Sequence, residues 1–203
     1  MNIRLHRGDL PNLSHYQIGT VAVDTETMGL EPRRDRLCVV QLSPGDGSAD
    51  VVQIVPGAAP NLTRLLVDAS ILKIFHFARF DLVALQQGLG VMPSPVYCTK
   101  IASRIARTYT DKHGLKDLVR ELLGIELSKQ QQLSDWGADS LSDAQVAYAA
   151  SDVLHLHALK QRLDAMLARE GRASLAEACF RFLPERARLD LAGWAAEDIF
   201  AHS

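Results

Sequence analysis

The order of its apolar segments constrains this chain more than any other feature. Three short apolar runs, at about 20–26, 36–43 and 49–55, come early, with Pro44-Gly45-Asp46-Gly47 between the second and third. Glycine and proline there favour a tight reversal, so the runs read as a strand meander. The pattern then alternates. Pro60-Asn61 opens a helical segment to about 68, and a fourth strand falls near 71–76. A helix spans about 79–88, ended by Gly88 and Gly90, and Val96 to Cys98 forms a short strand before a helix near 100–108. Gly114 to Leu123 reads as a helix with Gly124 as its stop. A long helix is expected over about 142–169, opened by a capping box of Ser142 and Gln145. The remainder is helical, broken at Pro184. A meander followed by alternating β and α elements predicts an α/β fold: a mixed five-stranded sheet flanked by helices, with a helical C-terminal extension.

With 203 residues, 47% of them hydrophobic, the chain has material for one sizeable core. A single domain over 1–203 is expected, with its core at about 18–169 and the extension at about 170–203. No segment approaches the roughly 18 apolar residues that cross a bilayer, and the start lacks an apolar signal core. Cys38, Cys98 and Cys179 are odd in number and widely spaced, which predicts reduced thiols and a cytoplasmic location. Basic residues number 22 and acidic 24, a balance without the footprint of a protein that grips a long polyanion. The runs Arg33-Arg34-Asp35-Arg36 and Arg181 to Arg188 mix both signs and read as solvated faces.

Chemistry concentrates at three places. Asp24-Thr25-Glu26 ends the apolar run Thr20-Val21-Ala22-Val23. Alternation puts Asp24 and Glu26 on one face of that strand. Two adjacent carboxylates repel unless a cation holds them, and a hard divalent ion suits oxygen donors; a polar strand end turning into solvent is the competing reading. Asp81 falls near the start of the helix after the fourth strand, where a carboxylate is either a ligand or a partner of the helix dipole. Tyr148 and Asp152 are four apart on a helix whose apolar face runs through Val146, Ala149, Val153, Leu156, Leu159 and Leu163. A half-buried aromatic and a solvated helix residue would equally explain that pair.

D-x-E, an Asp one βα unit later, then Y-x-x-x-D resembles the DEDDy 3′-5′ exonucleases, relatives of ribonuclease D. The likeness covers roughly residues 18–165. His113-Gly114-Leu115-Lys116-Asp117-Leu118 and Ser134-Asp135-Trp136 are similar to segments between that family's second and third motifs. The opening Ile3-Arg4-Leu5-His6-Arg7-Gly8-Asp9-Leu10-Pro11 and the short length look most like its nanoRNase C subfamily, which degrades very short RNA, especially dinucleotides.

The resemblance implies a ribonuclease H-like fold without the helical accessory domains of ribonuclease D. It also implies two divalent cations, Mg²⁺ or Mn²⁺, bracketing a scissile phosphate. Asp24, Glu26 and Asp152 would ligate them directly, Asp24 shared, and Asp81 through waters. Tyr148 would orient the attacking water, and the products would be 5′ mononucleotides. Leu30 matches an apolar wedge between the last two bases, with a core leucine as the alternative. His76 and Phe77 are candidates for base stacking, and His113 and Lys116 for substrate phosphate; core packing and a solvated loop explain these as well. Trp136 reads either as a stacking platform or as an interface anchor. Short RNA is the expected partner, and a homo-oligomer the expected assembly, with Leu189, Leu191, Trp194, Ile199 and Phe200 as interface candidates. Competing functions are a general 3′-5′ exonuclease on longer RNA or single-stranded DNA, and a non-catalytic nucleic-acid-binding module.

Overall fold

The computed structural model describes residues 2–17, 19–31, 34–128 and 134–202. Residue 18, the expected start of the core, and Arg33 of the mixed-charge run lie outside them. The strands are β1 (Asn2–Arg7), β2 (Thr20–Thr27), β3 (Leu37–Ser43), β4 (Ser48–Gln53), β5 (Leu72–Phe75) and β6 (Val96–Cys98). The helices are α1 (Pro60–Val67), α2 (Ala78–Leu89), α3 (Thr99–Ala106), α4 (Leu115–Leu123), α5 (Asp143–Leu154), α6 (Leu156–Arg169) and α7 (Ala173–Leu189).

The sheet order is β1-β4-β3-β2-β5-β6. The expected meander is present: β2 pairs antiparallel with β3, and β3 with β4. The βα units then add β5 and β6 parallel to β2. The fold is therefore the mixed, helix-flanked sheet that the sequence predicts, with six strands rather than five. The extra strand, β1, lies parallel to β4 at the sheet edge. Its polar sequence hides it. What holds it is remote: Arg4 and His6 both contact the buried carboxylate of Asp50 at 2.7 Å, and the Tyr16 hydroxyl donates to the same group. Asp9, just beyond β1, accepts from the backbone N–H groups of Asn61 and Leu62 and so caps α1.

Two helical expectations need correction. The long helix at 142–169 is two helices that meet at His155, whose φ −103° and ψ −5° depart from regular helical values. The break lets α5 follow β2, β3 and β4 while α6 packs on α3 and β5. The apolar repeat runs through it, so periodicity alone does not reveal it. Pro184 does not break α7, which continues through it; the ring is buried, and its packing outweighs one lost backbone hydrogen bond. Gly90 and Gly124 end α2 and α4 in the left-handed conformation, both with φ 71°. Gly88 instead lies inside α2, where an added Cβ would stand 2.6 Å from Leu37 of β3. Among the described residues no helix is long and apolar enough to cross a membrane.

Candidate active site

The end of β2, the first turn of α2 and the middle of α5 meet at one cleft. Asp24, Glu26 and Asp152 each bring a carboxylate oxygen within 4.8 Å of the others. A register shift between Glu26 and Thr27 ends regular pairing just after the motif. Thr25 points away from its two neighbours, and its hydroxyl donates to Asp81 at 2.7 Å. Alternate residues of β2 thus serve two helices: Asp24 and Glu26 face Asp152 of α5, and Thr25 ties down Asp81 of α2. The capping box of Ser142 and Gln145 fixes the start of α5, and one helical turn of spacing sets Tyr148 beside Asp152.

Electrostatically the cluster is strained. Burial raises Asp24 well above the ordinary carboxylate range, and the charges of Asp81, Asp152 and Glu26 raise it further. Glu26 is pushed up to about 8 by burial and by Asp152 and Asp81. Asp152 is pushed up to about 7 by burial. Asp81 also reaches about 7 by burial, although the Thr25 hydroxyl opposes this. Among the described residues no Lys, Arg or His forms an ion pair with any of the four. Four hard oxygen donors that share a low-dielectric site and lack a counter-charge suit hard divalent cations.

The cleft encloses about 310 Å³ and is lined by Asp24, Glu26, Tyr148 and Asp152, with His76, Lys116 and Asp117 among its other walls. Burial and the neighbouring carboxylates push the Tyr148 phenol up, away from any proton-accepting role at neutral pH. Trp136 is 3% exposed, with its ring centroid 6.0 Å from that of Tyr148. It is thus a packing support under Tyr148 and not a platform for bases. His76 is pushed down to about 3 by burial and by Lys100, so it is neutral. Thr99 donates its hydroxyl to the Phe75 carbonyl, so His76 Nδ1–H donates to Thr99 Oγ1 at 2.9 Å. His76 Nε2 is left as an acceptor.

Leu30, Phe77 and His113 do not line this cleft. Leu30 is 81% exposed, which excludes the core-leucine reading. The loop before it is shaped by Gly29, where a Cβ would stand 2.3 Å from the Asp35 carboxylate. Phe77 caps α2 with φ 68°, the one non-glycine with positive φ among the described residues; such a conformation costs about 1–2 kcal/mol. The Lys100 ammonium covers its ring at 4.2 Å. His113 Nδ1 meets Ser103 Oγ at 2.8 Å, and the buried Arg107 donates to that same oxygen at 2.9 Å. Sequence reasoning missed the three hydroxyls that orient these groups, Thr25, Thr99 and Ser103. Only Thr25 carried a signal, because it sits inside the first motif.

Residues 11–168 match the model of the 3′-5′ exonuclease family. The chain belongs to the 3′-5′ exonuclease family. Within the family it is similar to NrnC of Brucella melitensis. The structure of that protein with bound Mg²⁺ is 62% identical over 100% of both chains, with a TM-score of 0.96. Its structure bound to pGG is 63% identical over the same span, with a TM-score of 0.97. These likenesses agree with the nanoRNase C resemblance of the sequence. Ribonuclease D of Gluconacetobacter diazotrophicus is 40% identical over 154 residues, 75% of this chain and 39% of that protein. The chain spans about two fifths of the length of the curated relatives it matches. RNase D of Escherichia coli, at 24% identity and a TM-score of 0.80, shares the fold.

Proposed function

We propose that this exonuclease hydrolyses short RNA, dinucleotides above all, from the 3′ end to 5′ mononucleotides with two divalent cations. One observation carries the reading: three carboxylate oxygens within 4.8 Å of one another, in a cleft shared with Tyr148, with raised proton affinity and no cationic partner among the described residues. The relative at 62% identity was solved with Mg²⁺, and its companion structure with pGG, a short RNA.

Asp24, Glu26 and Asp152 would hold the ions, Asp24 in common, with Asp81 behind them. When bound, Mg²⁺ or Mn²⁺ would neutralise the cluster, polarise the scissile phosphate and stabilise the leaving oxygen. Tyr148, its proton firmly held, positions the attacking water by hydrogen bonding. Lys116 in the cleft wall offers charge to a substrate phosphate, and neutral His76 offers an acceptor. Leu30, exposed outside the cleft, would wedge between bases, and Phe77 and His113 would touch substrate beyond the reacting centre. The reading extends to a cytoplasmic homo-oligomer. Three free thiols and the exposed Trp194, Ile199 and Phe200 support those two points.

The ribonuclease D relatives favour a second reading, exonuclease action on longer RNA or single-stranded DNA. A turnover series separates the two. A 5′-labelled dinucleotide and a 7-mer are compared in Mg²⁺ and in chelator. The proposal expects kcat/KM on the dinucleotide to equal or exceed that on the 7-mer, and no turnover in chelator. An enzyme that shortens a 20-mer efficiently and leaves the final dinucleotide intact would sink it.

A further inference from the structure

Gln41 on β3 stands directly opposite Asp24 on β2. Antiparallel cross-strand partners project from the same face, with Cβ atoms about 4.5–5.5 Å apart. The Gln41 amide and the Asp24 carboxylate therefore rise from the same side of the sheet. Gln41 is fully buried, and neither its amide oxygen nor its amide nitrogen has a hydrogen-bond partner. Gln53 on β4 shows the ordinary case, with its amide donating to the Ala138 carbonyl at 2.8 Å.

A buried amide with no partner has lost its bonds to water and gained none in return. A leucine or methionine would fill the same space without that loss. The position thus forgoes fold stability, and its neighbour Asp24 is the group with a use for an amide. A Lys or Arg there would neutralise the carboxylate and compete with a cation. A Glu would add to the repulsion already present. An amide N–H can hold a carboxylate oxygen without changing the charge of the site.

We propose that Gln41 is a positioning residue for Asp24: its amide N–H donates, directly or through one water, to the Asp24 carboxylate when that group is ionised around bound metal. The bond fixes which oxygen faces the cations. This inference rests on the carboxylate cluster being the metal site. It deepens that reading by naming a neutral donor to the shared ligand.

The test uses Gln41→Met in the full chain, which keeps length and removes hydrogen bonding. Thermal melting is followed in chelator and across a Mg²⁺ titration, and dinucleotide kinetics are measured at saturating Mg²⁺. The variant is expected to melt in chelator at the wild-type temperature or above. It should need at least fivefold more Mg²⁺ for half of its thermal shift. It should lose at least tenfold in kcat while KM stays within twofold. A merely structural role predicts the opposite set: a lower melting temperature in chelator with Mg²⁺ response and kcat unchanged. That result overturns the proposal. If the Met variant does not fold, Gln41→Asn retains the amide but withdraws it by one carbon, and the same fivefold weakening is expected. A folded Asn variant with wild-type Mg²⁺ response and kcat overturns the proposal too. A wild-type protein with no Mg²⁺-dependent shift would instead refute the metal-site reading itself.

Discussion

Asp152→Asn should make the metal-free protein more stable while abolishing its activity. Asp152 faces Asp24 and Glu26 with carboxylate oxygens no more than 4.8 Å away. At an effective dielectric of about 20, two unit charges at that separation repel by roughly 3.5 kcal/mol. Burial of Asp152 adds a second, separate cost to its ionisation. It lifts the pKa from 3.8 to about 7, and roughly three pH units at about 1.4 kcal/mol each amount to about 4 kcal/mol lost on ionisation. Retained protons on the coupled neighbours and the burial of an amide in the carboxylate's place reduce both figures. A net gain of about 2–4 kcal/mol remains at pH 8 in chelator. For a chain of this length that raises Tm by roughly 5–10 °C. The sign reverses with conditions. At pH 5 the folded wild type holds the Asp152 proton but the unfolded chain does not, so the difference should shrink to roughly 1–2 kcal/mol. In excess Mg²⁺ the wild type should gain stability and the variant little. Calorimetry at the two pH values, with and without Mg²⁺, reads all of this. A variant that melts at or below wild type at pH 8 in chelator would show that the carboxylates do not repel as described.

The same acids set the pH profile of the metal-free wild type. Glu26, Asp81 and Asp152 all titrate higher when folded than unfolded, so their contribution to stability should be full only below about pH 4 and fall steadily as pH rises to about 8; a Tm that climbs between pH 4 and 8 in chelator contradicts the assignment. Tyr148→Phe should lower kcat by about 10²-fold with KM within twofold, because positioned water matters in the transition state; a rise in KM at constant kcat would make Tyr148 a packing residue. Leu30→Ala should reduce dinucleotide kcat/KM by roughly tenfold, the worth of one lost apolar contact of about 1.5 kcal/mol or a little less. On a 20-mer the loss should be smaller, and equal losses on both substrates would remove the wedge assignment.

Five of the six strands and the order of their connections were legible, because each carries its own apolar run or turn chemistry. β1 was not. Asn2–Arg7 is polar, and it is a strand because Arg4 and His6 reach Asp50, more than forty residues away in the chain. The motif residues announced themselves through strand alternation and helical spacing. Their convergence depends on the tertiary crossing of α2 and α5 over β2, which no local pattern encodes. Trp136 showed the same limit from the other side. Its polar neighbours suggested exposure, but Arg36 and Gln53 bond the carbonyls of Gly137 and Ala138 and draw that segment onto the sheet.

The division of β2 between two helices makes its register an all-or-nothing matter. Asp24 and Glu26 serve one partner because they share parity along the strand, and Thr25 serves the other because it does not. Sliding β2 by one residue against β3 would exchange odd and even positions. Both carboxylates would turn from Asp152, and Thr25 would turn from Asp81. No partly mispaired intermediate could therefore retain a diluted form of the activity. The side-chain alternation that sends Val21 and Val23 to one covered face of the sheet and Ala22 to the other is also the arithmetic that assembles the acids. A chain that has acquired its site has, by the same count, closed its sheet correctly.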